Sequence, residues 1–290
     1  MTELFWLLYS AGYLIFAIIF LFIANKLFDR LTPYSVKTHL TEKDNAAVGL
    51  LLSGFMLGIT AVLCGVLAGD TPEKPDWESF SKDLIPILIY GSLGLLMLFV
   101  AGILNDKIVL RRFSNQEEIV TNQNSAVGII MAATYTGSGL IIAGSISGGL
   151  DIRSVISTFL IAQCGFIIFG LVYQLVTRYD DQKEIGQNKN LAAGIGFSGN
   201  LIAFSIILMK GLTVDVELTV AWDLADRLLH MLYYGIAGSL LLVILRFITD
   251  RVFLPGGRIS EEVVKDKNLN AGYIEATLAI SVGAILFFCL

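Results

Sequence analysis

Eight apolar stretches, each long enough to cross a bilayer, alternate with short polar clusters along the whole chain. The hydrocarbon core of a membrane is about 30 Å thick and needs about 20 apolar residues of helix. On that measure the pattern predicts spans at 4–27, 45–69, 84–105, 124–148, 152–177, 191–210, 227–249 and 269–290. The runs end in clusters such as Asn105-Asp106-Lys107 and Thr249-Asp250-Arg251. In lipid only helices and closed barrels satisfy every backbone polar group. Runs of this length therefore predict an all-α integral membrane protein of eight transmembrane helices. The first run begins at Leu4 with no basic segment before it and exceeds the apolar part of a signal peptide, so a spanning helix is expected.

The apolar pattern also repeats. When Gly49, Gly128, Gly194 and Gly272 are aligned, Asn45, Asn124, Asn190 and Asn268 stand four residues earlier. Ser53, Ala132, Ser198 and Ala276 follow four residues later, and Gly54, Ala133, Gly199 and Thr277 five later. Gly58, Gly137, Ala203 and Ser281 follow nine later. The glycines are 79, 66 and 78 residues apart, and the first and third are separated by 145, half of the 290-residue chain. The chain thus reads as four two-helix units in two halves, 1–148 and 149–290. Two spans per unit make successive units point the same way, so the repeats are parallel, and a pseudo-fourfold or nested pseudo-twofold bundle is expected.

Small residues indicate which helices lie inside, because helices in lipid associate by close backbone approach. Gly54, Gly58, Gly65 and Gly69 form one stripe, and Ala133, Gly137, Gly144 and Gly148 repeat it; Gly49, Ser53, Gly128 and Ala132 lie on the opposite face. Even-numbered helices are therefore expected to form an inner layer, with Gly49, Gly54, Gly58, Gly128, Gly137, Gly194, Gly199 and Gly272 as close-packing positions. Odd-numbered helices carry Phe16, Phe20, Phe22, Phe159, Phe166 and Phe169 and are expected to face lipid.

Composition sharpens this picture. Hydrophobic residues make up 55% of the chain and charged residues 16%, against about 25% charged in a soluble domain, and the mean hydropathy is +0.74. Fifteen of the 20 Lys and Arg, among them Lys26, Arg30, Arg111, Arg112, Arg178, Arg246 and Lys265, lie in or beside the loops after spans 1, 3, 5 and 7. Arg227 counts with the other loops, which are acidic (Asp70, Glu73, Asp76, Glu78, Asp83). Basic residues resist translocation, so the basic side is expected to be cytoplasmic and both termini extracytoplasmic. Cys64, Cys164 and Cys289 have no metal spacing and are expected to be small core residues. His39 and His230 fall near opposite sides of the membrane and share no metal site. No phosphate loop, nucleophile elbow or Cys/His cluster is present in the sequence, so no enzyme, cofactor or nucleic-acid chemistry is indicated.

The stretch Asp29-Arg30-Leu31-Thr32-Pro33, followed by Asn45-Ala46-Ala47-Val48-Gly49 and a small-residue helix, resembles the bacterial domain of unknown function 350 family, whose members include YjfL-like inner-membrane proteins. Asn124-Ser125-Ala126-Val127-Gly128 and Asn268-Leu269-Asn270-Ala271-Gly272 repeat the pattern, so two tandem copies cover the chain. The Asp-Arg-Leu-Thr-Pro element is clean only in the first unit; the fourth keeps Asp250-Arg251 and Pro255, and the third lacks it. The resemblance implies a bacterial inner membrane, no established activity and no catalytic residues. It also implies a role in envelope stress, with a cytoplasmic stress-response protein as a possible partner, and a homo-oligomer is a further possibility.

Two sets of residues invite a functional reading. Asn45, Asn124, Asn190 and Asn268 stand where basic-side loops enter inner helices. They are expected either to cap those helices or to ring the mouth of a pore. Glu275 lies two turns inside the eighth span, where the other units place Leu52, Met131 and Phe197. An ionisable group there is costly unless paired, wetted or protonated. It is read either as a proton or cation site or as a neutral, hydrogen-bonded carboxyl. On either reading Glu275→Gln and Glu275→Leu are expected to fold. Asn200, Gln163 and Tyr135 are expected to be interhelical hydrogen-bond partners. The loop segments Glu118-Ile119-Val120 and Glu262-Val263-Val264 are expected to be solvated connectors or short helices on the lipid surface. The family context and the glycine-packed interior support a structural or sensory platform in envelope stress first; repeat symmetry and Glu275 support a channel or transporter for an ion or small solute second.

Overall fold

The computed structural model describes residues 2–68, 77–148, 151–213, 224–253 and 257–289. Gly69, Asp70, Glu73, Asp76 and Pro255, named above, lie outside them. Among the described residues eight helices are long and apolar enough to cross a membrane. They are α1 (Thr2–Leu31), α3 (Ala46–Leu67), α4 (Trp77–Ile108), α6 (Ser125–Ser147), α7 (Ile152–Val176), α8 (Leu191–Leu212), α9 (Leu224–Val252) and α11 (Leu269–Cys289). The connectors form α2 (Val36–Thr41), α5 (Asn115–Val120), α10 (Ile259–Lys265) and a π-helical turn over Lys183–Gln187. Helix α4 begins seven residues before its apolar run. Its first turns carry Glu78 and Lys82, paired at 2.7 Å one turn apart, so the helix extends past the apolar stretch that reveals it.

Helix α3 packs on α6, α6 on α8, and α8 on α11. These second, fourth, sixth and eighth spans stand in a row that does not close. Each contact uses the same register, counted from the aligned glycine. Residue −2 of one helix lies on residue 0 of the next: Gly128 meets Ala47, Gly194 meets Ala126, and Gly272 meets Ala192. Residue +5 lies on +4, as Gly54 on Ala132 and Gly199 on Ala276. Residue +9 lies on +11, as Gly58 on Gly139 and Ala203 on Gly283. Many of these contacts are backbone against backbone. A Cβ added at Gly272 would stand 2.5 Å from the Ala192 carbonyl oxygen, and one at Gly194 2.9 Å from that of Ala126. Only glycine permits approach this close, and in lipid that approach is what holds helices together.

Several expectations need correction. Gly49 is not closely packed within the chain: a Cβ there would meet only the Leu40 side chain, at 3.7 Å. Its companion Ser53 is exposed, because α3 is the first helix of the row. Gly137 abuts side chains, Phe166 and Ser205, rather than backbone. Phe20, Phe159, Phe166 and Phe169 are buried, Phe16 is half-buried and Phe22 is open to the surroundings. Small residues on the inner helices leave hollows, and rings from α7 fill them: Phe166 lies against Gly137, and Phe169 stacks on Phe204 with centroids 4.2 Å apart. The outward surface is made by branched aliphatic residues instead, such as Leu14, Ile18, Leu96, Ile103 and Ile244. The three cysteines are exposed rather than in the core.

Candidate functional site

Two constellations concentrate the polar chemistry. The first recurs where each connector enters an inner helix. The residue five before each aligned glycine is left-handed: Asp44, Gln123, Lys189 and Lys267, with φ between 47° and 49°. None is glycine, so each position carries backbone strain of about 1–2 kcal/mol. The next residue is the asparagine. Its Oδ1 accepts from first-turn N–H groups: Ala47 and Val48 for Asn45, Ala126 for Asn124, Ala193 for Asn190, and Asn270 for Asn268. Those groups have no partner inside the helix, so the cap is what satisfies them.

The asparagine Nδ2 does further work. It donates to a carboxylate six residues upstream, Glu118, Glu184 or Glu262, at 2.9 to 3.0 Å. In the first unit His39 takes that place, 3.4 Å from Asn45. The other proton crosses to the next unit. Asn45 donates to the Ile119 carbonyl at 2.9 Å, Asn124 to that of Ile185 at 2.9 Å, and Asn190 to that of Val263 at 2.7 Å. Among the described residues the half-buried Asn268 has no such acceptor. The four asparagines therefore cap helices and stitch unit to unit along the row; no ring closes among them. Ile119 and Val263 are buried, so these connectors pack beneath the bundle and are neither freely solvated nor laid on lipid. The Glu118 and Glu262 segments were visible as a sequence pair. Glu184 and His39 were not, because the third connector is π-helical and the first replaces the carboxylate.

The second constellation surrounds Glu275, which is 2% exposed. Its Oε1 accepts from the Tyr173 hydroxyl at 2.6 Å and from Asn200 Nδ2 at 3.3 Å, and lies 3.0 Å from Arg246 Nε. Four helices thus contribute to one buried cluster. Glu275 is not a lone intramembrane charge. Arg246, assigned to a loop flank from sequence, is buried within α9. Toward the connectors the cluster continues to Asp250, which accepts from the Ser260 N–H at 2.8 Å and faces Arg178 at 3.5 Å. A cavity of about 10 Å³, room for a single water, lies among Arg178, Arg246, Asp250 and Ser260. Beside it the buried Asp181 accepts from the Thr177 hydroxyl, and burial pushes its carboxyl up to about 7.

The first half of the chain places different residues at the corresponding points. Aligning Asp106 with Asp250 sets Gly102 against Arg246, and the repeat sets Met131 against Glu275. Gly102 and Met131, with Phe28, Tyr34 and Tyr135, line an open cavity of about 290 Å³. The second half fills this space with an ion pair; in the first half it is an open cavity, lined also by Thr32, Asp106, Lys107 and Gln116. Elsewhere Asn105 joins Gln163 at 2.9 Å and Ser138 at 3.1 Å, an interhelical link. At the opposite end of the bundle, the buried Arg227 donates to Ser154 Oγ at 2.6 Å and to the Ser145 and Leu212 carbonyls at 3.4 and 3.3 Å. A cation at the C-terminal ends of α6 and α8 complements their dipoles. No group of three or more metal-ligating side chains gathers among the described residues.

The family model described as Domain of Unknown Function (DUF350) matches twice, over residues 3–146 and 149–290. The chain belongs to this family, as two tandem copies. A relative, the UPF0719 transmembrane protein of Aquifex aeolicus (strain VF5), is 27% identical over 208 residues, covering 68% of this chain and 73% of that protein. No solved structure matches. Membership in DUF350 brings a multi-pass membrane protein and no assigned activity.

Proposed function

We propose that the protein is a non-enzymatic scaffold of the bacterial inner membrane, with its termini outside and its connectors on the cytoplasmic face. The observation that carries this reading is the backbone-to-backbone packing of the inner helices, which brings Gly54, Gly58, Gly194 and Gly272 into direct contact with the neighbouring helix backbone. The buried charges are consistent with it, since Glu275 is committed to Arg246, Tyr173 and Asn200. The 15-to-5 division of basic residues supports the orientation. The short connectors present exposed charged residues such as Glu42, Glu117 and Lys265, a surface a cytoplasmic stress-response protein could bind.

A second reading, a channel or transporter for an ion or small solute, draws on Glu275 and the small cavity beside Arg246. Ion and proton flux in proteoliposomes separates the two. A scaffold gives flux no greater than that of protein-free vesicles, with or without Glu275→Gln. Flux above that level, abolished by Glu275→Gln, would replace the scaffold with a transporter.

A further inference from the structure

The row of inner helices has two unused faces, and the repeat makes them complementary. Within the chain, each helix offers positions −2, +5, +9 and +16 to positions 0, +4, +11 and +15 of the next. Helix α3 opens the row, so among the described residues its positions 0, +4, +11 and +15 have no spanning helix against them, and only Leu40 of α2 lies near the first. These are Gly49, Ser53, Thr60 and Cys64; the first is half-buried and the rest exposed. Helix α11 ends the row, and its positions −2, +5, +9 and +16 are Asn270, Thr277, Ser281 and Phe288, all exposed. In the interior helices the same positions are mostly buried. The stitch is unfinished at the same end: among the described residues Asn268 lacks the carbonyl acceptor across the interface that its three counterparts have.

We infer that a second copy of this chain completes the row, with α11 of one copy seated on α3 of the other in the register used three times inside each chain. Asn268 then finds the Leu40 carbonyl of the other copy, nine residues before Gly49, as Asn190 finds that of Val263, nine before Gly272. Ser53 meets Thr277 and Thr60 meets Ser281. Hydroxyl pairs replace the Gly–Ala and Gly–Gly contacts inside the chain. They take more room, so this interface holds its helices further apart than the internal ones and is the weakest of the four.

The geometry also sets the number of chains. At 100° per residue the two faces of an inner helix stand about 130° apart, so the row turns by about 50° at each helix. Such a turn closes after about seven to eight helices, which two chains of four inner helices supply. A head-to-tail contact that closes in this way gives a ring, with no free face left.

Disulfide trapping in native membranes tests this. In a background with Cys64, Cys164 and Cys289 changed to alanine, Ser53→Cys with Thr277→Cys should oxidise to a product of twice the monomer mass. Each single variant should stay monomeric, because the contact is head to tail. Ile18→Cys with Thr277→Cys, which places one thiol on the outward face of α1, should also stay monomeric. All the substituted residues are exposed, and unchanged melting of the reduced proteins will confirm that they fold. A failure to cross-link would overturn the proposal, as would a cross-link at monomer mass, which would mean that the row closes on itself. Dimers from either single variant would replace it with a symmetric contact, and a ladder beyond two chains would overturn closure at two.

Discussion

Glu275→Leu should lower the stability of the folded protein by about 3–5 kcal/mol, because it leaves the Arg246 guanidinium buried without its counter-ion. The side chains are 2% and 6% exposed and lie 3.0 Å apart. Leucine stands at the equivalent point in the first unit, but there α1, aligned by Asp29 with Asp250, carries Asn25 where α9 carries Arg246. The repeat pattern alone therefore gives the wrong expectation for Glu275→Leu. Glu275→Gln retains a group able to meet Tyr173 and Asn200, yet it too strands Arg246 and should fall between wild type and Glu275→Leu. Replacing both partners, as Glu275→Leu with Arg246→Met, should recover most of the loss, since a buried ion pair exchanged for apolar residues of similar size is often neutral. Unfolding of purified protein in mild detergent, followed by denaturant titration, measures all four. Equal stability of Glu275→Leu and wild type would show that Arg246 is solvated, contrary to its position in α9.

Gly54→Leu should be the second severe change. A Cβ at Gly54 would overlap the backbone of Ala132, which cannot rotate away, so the α3–α6 contact must open along its length. Overpacking of this kind costs about 1–3 kcal/mol, and more where backbone is struck. Gly58→Leu meets the Tyr135 carbonyl at 2.6 Å and belongs to the same class. Gly137→Leu should cost less than either, because Phe166 and Ser205 are side chains with some freedom to move. Gly49→Leu should be close to neutral in the isolated chain, where only Leu40 is near. Thermal melting of this graded series in detergent checks the order. A Gly49→Leu variant as unstable as Gly54→Leu would mean that the open face of α3 is covered, within the chain or by another copy.

How far the sequence alone reached follows from what each signal measures. Apolar length located all eight spans, because a bilayer demands about 20 residues of helix whatever packs on them. It missed the first turns of α4 and the short connector helices, whose stability comes from caps and tertiary contacts rather than from an apolar run. The glycine pattern carried the register of the inner helices, since a position that tolerates only glycine or alanine records a close approach. It did not reveal that the row is open, because Gly49 and Ser53 keep the repeat even where no partner helix stands. Phenylalanines on α7 were assigned to lipid because bulk alone does not distinguish a lipid-facing ring from one that fills a hollow beside Gly137. The Arg246–Glu275 pair was hidden for a different reason. Its halves lie 29 residues apart on different helices, and the arginine sits near a polar cluster that counts as loop in a hydropathy reading.

The open row is the feature on which both the packing and the assembly depend, and distances between connectors measure it most directly. Glu42, Thr121, Gln187 and Lys265 are exposed and hold the same place in the four units, seven residues before each aligned glycine. Spin labels on cysteines at Thr121 and Gln187 report neighbouring helices, and labels at Glu42 and Lys265 report the two ends. With labelled chains diluted in unlabelled protein and interaxial spacings of about 8–10 Å, an arc of four helices puts its ends about 20 Å apart. Pulsed electron–electron resonance should therefore give an end-to-end distance about 10 Å longer than the neighbour distance. Equal distances for the two pairs would mean that the four units close into a ring within one chain.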